Sequence, residues 1–322
     1  MNGNRFFHIN INVANLDRSI RFYEIFGFKT LVRMSMDKET KRGTAEAFGQ
    51  PELADNKSEF SLIRIGDDPA SACIDLVEWR TDPTHGTPYE ESNHAGMYRF
   101  LVHVDDPDAV LAALKDAGYP LVGSAIHATP VPGQTPTTMF CVRDPDGVVV
   151  EIAAGLDHLV GMNARGGNRL FHVNVNVTNL DRSLRFYEIF GFKPIFRTVQ
   201  DEETGRRSAE AFNRPYNDAE YALVRIGDNP ASACIDLVEW RTDPTHGTPY
   251  ETANHAGIYR ILVHVADPDA ILAALEQAHY PLMGPVLRVA PFPGKTPTTM
   301  FCVRDPDGVV IEIAAGLDHL VS

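Results

Sequence analysis

The chain has 322 residues, 44% hydrophobic and 22% charged, which suits roughly two soluble globular domains with real cores. A formal net charge of −14 argues against nucleic acid or an anionic membrane surface as partner, since both need clustered Lys and Arg. No apolar run reaches a membrane span and no signal-like segment opens the sequence. A cytoplasmic protein acting on a small-molecule substrate or ligand, as a monomer or homodimer, is therefore expected.

The first predicted strand is Ile9 to Val13. Apolar Ile9, Ile11 and Val13 alternate there with His8, Asn10 and Asn12. Asn15 then caps a helix whose stripe is Leu16, Ile20 and Tyr23, and Gly27 ends it. Strands follow at Glu59 to Ile65 and Ala72 to Trp79. A second unit runs in the same order. Arg99 to Val104 is a strand, Asp106 and Pro107 begin a helix that Gly118 closes, and Thr137 to Val142 is a strand. The D-P-D-G turn at Asp144 to Gly147 leads into a last strand, Val148 to Ala153. Cys73, Cys141, Cys234 and Cys302 show no C-x-x-C spacing and read as buried thiols.

The chain then says nearly the same thing again. FFHININVANLDRSIRFYEIFGFK from Phe6 returns as LFHVNVNVTNLDRSLRFYEIFGFK from Leu170, and ACIDLVEWRTDPTHGTPYE occurs from Ala72 and from Ala233. The repeat sets domains at 1–155 and 169–322, joined by a glycine-rich linker at 156–168. Each copy divides into two units, so four modules are expected, at about 5–80, 97–154, 169–241 and 258–315.

A strand with an inward His, then N-L-D-R-S-x-x-F-Y-x-x-x-G-F, then a later D-P-D-G-x-x-x-E strand, resembles the vicinal oxygen chelate superfamily. That group includes glyoxalase I, extradiol dioxygenases and the bleomycin-resistance proteins. The resemblance implies an α+β tandem fold: four βαβββ modules paired into two curved mixed β-sheets with flanking helices. It leaves open whether module one pairs with module two or with module four. It also implies a cup that holds a divalent metal or a ligand.

Strand alternation places His8, Asn10, Asp75, Arg99, His103 and Glu151 on the cup face. The second copy gives His172, Asn174, Asp236, Arg260, His264 and Glu312. The resemblance implies metal ligands at His8, Asp75 and Glu151, and at His172, Asp236 and Glu312. That set would suit Fe²⁺, Mn²⁺, Ni²⁺ or Zn²⁺. The remaining usual ligand position holds Arg99, or Arg260 in the second copy, and arginine offers no lone pair. His103 lies four residues further along its strand, roughly 13 Å away, and cannot substitute. Arg99 could instead pair with Glu151, and Arg260 with Glu312, in the metal's place.

Two functions compete. In a metal-dependent isomerase or lyase acting on vicinal oxygens through an enolate, Glu151 and Glu312 would be ligands or proton shuttles. His103 and His264 would be acid–base groups, and Arg99 and Arg260 would bind substrate. In a metal-free binding or resistance protein, Trp79 and Trp240 would stack a planar ligand while Arg–Glu pairs fix its polar edge. An extradiol-type ring-cleaving dioxygenase is a third reading. Glu78 and Glu239 point the other way and read as surface or capping residues. The T-H-G-T-P-Y segments from Thr84 and Thr245 read as rigid connectors. The proline-rich stretches at 130–136 and 291–297 read as a lid or rim.

Overall fold

A computed structural model describes residues 3–128, 137–156, 167–229, 231–289 and 298–317. The proline-rich stretches and most of the linker lie outside the described residues. The first module comprises β1 (Arg5–Val13), α1 (Leu16–Glu24), β2 (Phe28–Met34), α2 (Lys38–Ala47), β3 (Ser58–Ile65) and β4 (Cys73–Trp79). The second comprises β5 (Arg99–His103), α3 (Pro107–Asp116), β6 (Ile126–Ala128), β7 (Thr137–Arg143) and β8 (Val149–Ala154). The third repeats the first as β9 (Arg169–Val177), α4 (Leu180–Glu188), β10 (Phe192–Val199), α5 (Glu202–Ala211), β11 (Ala219–Ile226) and β12 (Cys234–Trp240). The fourth repeats the second as β13 (Gly257–His264), α6 (Pro268–Gln277), β14 (Leu287–Val289), β15 (Thr298–Arg304) and β16 (Val310–Ala315).

Among the described residues these strands form two eight-stranded mixed sheets. One runs β14-β15-β16-β13-β1-β4-β3-β2, the other β10-β11-β12-β9-β5-β8-β7-β6. Module one therefore pairs with module four, and module two with module three. Each repeat contributes to both sheets, so the repeat boundary is not a boundary between sheets. The junctions are antiparallel, β1 with β13 and β5 with β9.

The alternation seen in the sequence sorts the side chains. Ile9, Ile11, Val173 and Val175 enter one large apolar core together with Phe22 of α1, Leu114 of α3, Phe186 of α4 and Leu275 of α6. Phe6 and Phe192, from different sheets, meet edge to face at 6.4 Å. Burying this one face of both sheets is the main favourable term for the fold. The opposite faces carry the polar cup residues.

Two devices fasten the sheets. Asp146, in the D-P-D-G turn of module two, accepts from Ala14 N at 3.0 Å, Ser19 Oγ at 3.0 Å and Arg18 Nη2 at 2.6 Å. Asp144 beside it accepts from the buried Tyr23 hydroxyl at 2.7 Å. The turn of one sheet thus grips α1 of the other, and Asp307 and Asp305 do the same to α4. The second device is a clasp made by the T-H-G-T-P-Y segments. The Tyr89 amide donates to Tyr250 Oη at 3.0 Å and the Tyr250 amide donates to Tyr89 Oη at 3.0 Å. Their rings stack at 4.1 Å, flanked by His94 and His255. These segments thus bond to each other across the repeat. Glu78 and Glu239 accept from the first amides of α1 and α4, Leu16 N at 2.8 Å and Leu180 N at 2.7 Å, capping those helices. All four cysteines are buried and free. No helix among the described residues is long and apolar enough to cross a membrane.

Candidate functional site

The junction between modules one and four lines up the first cup. On β1, Asn10 stands opposite Arg260 of β13 and Asp75 of β4, while His8 stands opposite Leu262 and Cys73. Leu262 in turn stands opposite Glu312 of β16. Paired residues share a face, so Arg260, Asn10 and Asp75 form one row and Glu312, Leu262 and His8 the next.

Arg260 ties the rows together. Its Nε donates to Glu312 Oε2 at 2.5 Å and its Nη2 donates to Asp75 Oδ2 at 2.8 Å. Asn10 Nδ2 donates to the same Asp75 oxygen at 3.3 Å and to its carbonyl at 3.1 Å. His8 Nε2 lies 3.9 Å from Asp75 Oδ2, and neither nitrogen of the ring has a hydrogen-bond partner among the described residues. The second cup repeats the design. Arg99 Nε donates to Glu151 at 2.7 Å and Nη2 to Asp236 at 3.1 Å, while His172 lies 3.9 Å from Asp236. Asn174 Nδ2 donates to the Asp236 carbonyl at 3.4 Å.

The acids do not group by repeat, and the convergence expected within each half does not occur. Glu151 joins His172 and Asp236, and Glu312 joins His8 and Asp75, because the sheets are built across the repeat. His103 and His264 lie a row beyond the carboxylates, opposite Ala153 and Ala314. Trp79 and Trp240 share the cup face at the far ends of β4 and β12. Their indole N–H groups donate to Asn12 and Asn176 at 3.0 and 2.9 Å. Trp79 borders a crevice of about 30 Å³, room for water but not for an organic ligand.

Burial governs the titration of the cluster. His8 and Asp75 are 6% and 5% exposed. Burial, then Arg260, holds the His8 imidazole well below its usual range, so it is neutral. Burial lifts the Asp75 carboxyl to about 6, although Arg260 pulls the other way. The same causes move His172 down and Asp236 up to about 6, with Arg99 as the cation. Burial works against the charge of Arg260, but Glu312 and Asp75 outweigh it and the guanidinium stays a cation.

A cover that the sequence reading missed closes each cup. Helix α2, capped by Asp37, leads to Phe48, whose ring lies 5.1 Å from the Arg260 guanidinium. Helix α5 leads to Phe212, 4.8 Å from Arg99. Gly284 and Gly123 approach the carbonyls of Glu46 and Glu210 so closely that neither has room for a Cβ. The available signals were Asp37 and Asp201 as helix caps and the A-E-A-F repeat. The charged surface of α2 and α5 hid them.

The donor set does not fit a divalent cation. Both carboxylates of each cup are engaged by one guanidinium, which would stand beside the metal as a like charge. Among the described residues no three His, Cys, Asp or Glu side chains converge as a metal site requires.

Comparison with known proteins gives a consistent picture. The family profile described as Glyoxalase/Bleomycin resistance protein/Dioxygenase superfamily matches residues 5–152 and 169–313. A probable lactoylglutathione lyase of Vibrio parahaemolyticus is 30% identical over 156 residues, covering 47% of this chain and 91% of the relative. Glyoxalase I of Zea mays superposes with a TM-score of 0.66 at 19% identity, covering 98% of this chain and 94% of that one. A putative dioxygenase of Bacillus subtilis superposes at 0.56 with 12% identity, covering 97% and 85%. These two likenesses are of fold.

Proposed function

The chain belongs to the Glyoxalase/Bleomycin resistance protein/Dioxygenase superfamily, and on that footing we propose that it recognises a small organic molecule without a resident metal. One observation carries the reading. In both cups a buried arginine bridges the two carboxylates, where the family resemblance leads one to expect a cation. A guanidinium so placed keeps three of its five N–H donors beyond those used here, and these meet a ligand's polar edge once the covering Phe48 or Phe212 gives way. Extradiol-type ring cleavage is disfavoured, because Arg99 and Arg260 hold the position where its second imidazole would be needed.

The test is metal analysis of purified protein after exposure to Fe²⁺, Mn²⁺, Ni²⁺ and Zn²⁺, followed by a thermal-shift screen of small organic ligands with and without EDTA. Less than a tenth of an equivalent of metal, with ligand shifts that ignore EDTA, is expected. About one tightly held ion per cup, lost in His8→Ala and His172→Ala variants, overturns the reading.

A second reading, a lyase or isomerase of glyoxalase type, is favoured by the acid–base character of the same groups. Asp75 and Asp236, raised to about 6, are poised to exchange a proton near neutral pH. Neutral His8 and His172 stand beside them, and the arginines would hold a developing oxyanion. The relative named as a probable lactoylglutathione lyase sets the assay. S-lactoylglutathione formation in EDTA, abolished in the Asp75→Asn/Asp236→Asn double variant, supports this reading. Turnover unchanged in that variant removes it.

A further inference from the structure

The two cups are near copies except beside their covers. In the first, Gln50 acts as a strap: its Nε2 donates to Tyr259 Oη at 3.0 Å and to the Glu251 carbonyl at 2.9 Å, and its Oε1 accepts from Ala253 N at 2.8 Å. Met283 packs into the same cluster as Phe48 and Tyr259. In the second copy Gln50 is replaced by Arg214, Gly49 by Asn213 and Met283 by Val122. The consequences are visible. Arg214 turns outward to the Glu90 carbonyl. The Tyr98 hydroxyl, counterpart of Tyr259, has no hydrogen-bond partner among the described residues, in a residue only 2% exposed. A cleft of about 350 Å³ opens, lined by Leu121, Val122, Arg143, Phe212 and Arg214 among others.

The chemistry of this cleft is one-sided. Neither Arg143 nor Arg214 has a carboxylate partner among the described residues. Arg143 spends one N–H on the Gly147 carbonyl at 2.8 Å. Two guanidinium groups thus line one small cleft in a chain of net charge −14. One wall is apolar, and Phe212 is also the ring that covers Arg99. The volume falls at the small end of ligand pockets, roughly 300–1,000 Å³.

We propose that this cleft binds a small organic carboxylate, its anionic end held by Arg143 and Arg214 and its apolar body laid against Phe212. The proposal rests on the reading of the cups as metal-free ligand sites, and it gives the second cup, but not the first, an anchor for an anionic ligand. Planar bidentate pairing of guanidinium with carboxylate supplies the selectivity.

The test is calorimetric titration of the full chain with phthalate, with inorganic phosphate as the comparison anion, in EDTA. One saturable phthalate site per chain is expected, weakened at least tenfold in Arg214→Gln and unchanged in Arg304→Gln, the counterpart of Arg143 beside the first cup. Arg214→Gln should leave thermal stability unchanged, an outcome that simple damage to the fold would not give. No saturable phthalate binding at 10 mM overturns the proposal, as does phosphate binding as tightly as phthalate, or an affinity unmoved in Arg214→Gln. The metal analysis decides the reading of the cups by itself, so a failed titration counts against the cleft alone.

Discussion

Replacing Arg260 by histidine should convert the first cup into a metal site. The substitution removes the cation that bridges Asp75 and Glu312 at 2.8 and 2.5 Å. Stranding two buried carboxylates costs about 3–5 kcal/mol, so the metal-free variant should melt roughly 6–10 °C lower, taking about 2 °C per kcal/mol for a chain of this size. The new imidazole would share one face of one sheet with His8, Asp75 and Glu312, giving two nitrogen and two oxygen donors suited to Zn²⁺. In the wild type, a divalent ion about 4 Å from the guanidinium would meet a repulsion of roughly 8 kcal/mol at an effective dielectric of about 20. Zn²⁺ at about a hundred times its dissociation constant should restore roughly 2.7 kcal/mol in Arg260→His, a rise of about 5 °C, and nothing in the wild type. Thermal melts with and without Zn²⁺, paired with calorimetric titration, make the comparison. Wild-type protein that takes up Zn²⁺ as tightly as Arg260→His would refute the argument that the guanidinium holds the metal's place.

Three further outcomes follow from the same geometry. Asp144 is lifted by burial to about 6 from an ordinary 3.8. A raised acid favours the folded state below its unfolded value and loses that contribution as pH rises through its folded value, here roughly 3 kcal/mol between pH 4 and 7. Asp144→Asn should flatten that part of the stability–pH curve, measured by urea unfolding at each pH; an unchanged slope would show that Asp144 titrates normally. Gly247 has φ +78° and lies against the His94 ring, so Gly247→Ala should destabilise the clasp by about 1–3 kcal/mol in chemical unfolding. A wild-type midpoint would show that the ring column yields freely. Gln50→Ala cuts the strap to Tyr259, Glu251 and Ala253. It should cost about 1–3 kcal/mol, whereas Arg214→Ala should cost less than about 0.5 kcal/mol. Equal losses would mean that the two covers are held alike.

The sequence disclosed face but not partner, and the reason is physical. Alternation of Ile9, Ile11 and Val13 with His8 and Asn10 is a local property of one strand, and it put every cup residue on the correct side. Pairing is a choice between β1–β5 and β1–β13, and the repeat supplies almost the same residues to both, so no pattern in the strands distinguishes them. What distinguishes them lies in interactions no single segment displays: the Tyr89–Tyr250 clasp, and the grip of Asp144 and Asp146 on α1, which keeps the two modules of one repeat in different sheets. The covers were hidden for a related reason. Helices α2 and α5 are charged on their outer surfaces and bury little beyond small residues, so their sequences resemble exposed loops. The difference between Gln50 and Arg214 is plain when the two copies are laid side by side. Its meaning depends on Tyr259 having a hydrogen-bond partner where Tyr98 has none among the described residues, and that contrast exists only once both sheets are assembled. A duplicated chain can therefore keep two scaffolds alike to the level of strand register while a few residues beside the covers make the two cups chemically different.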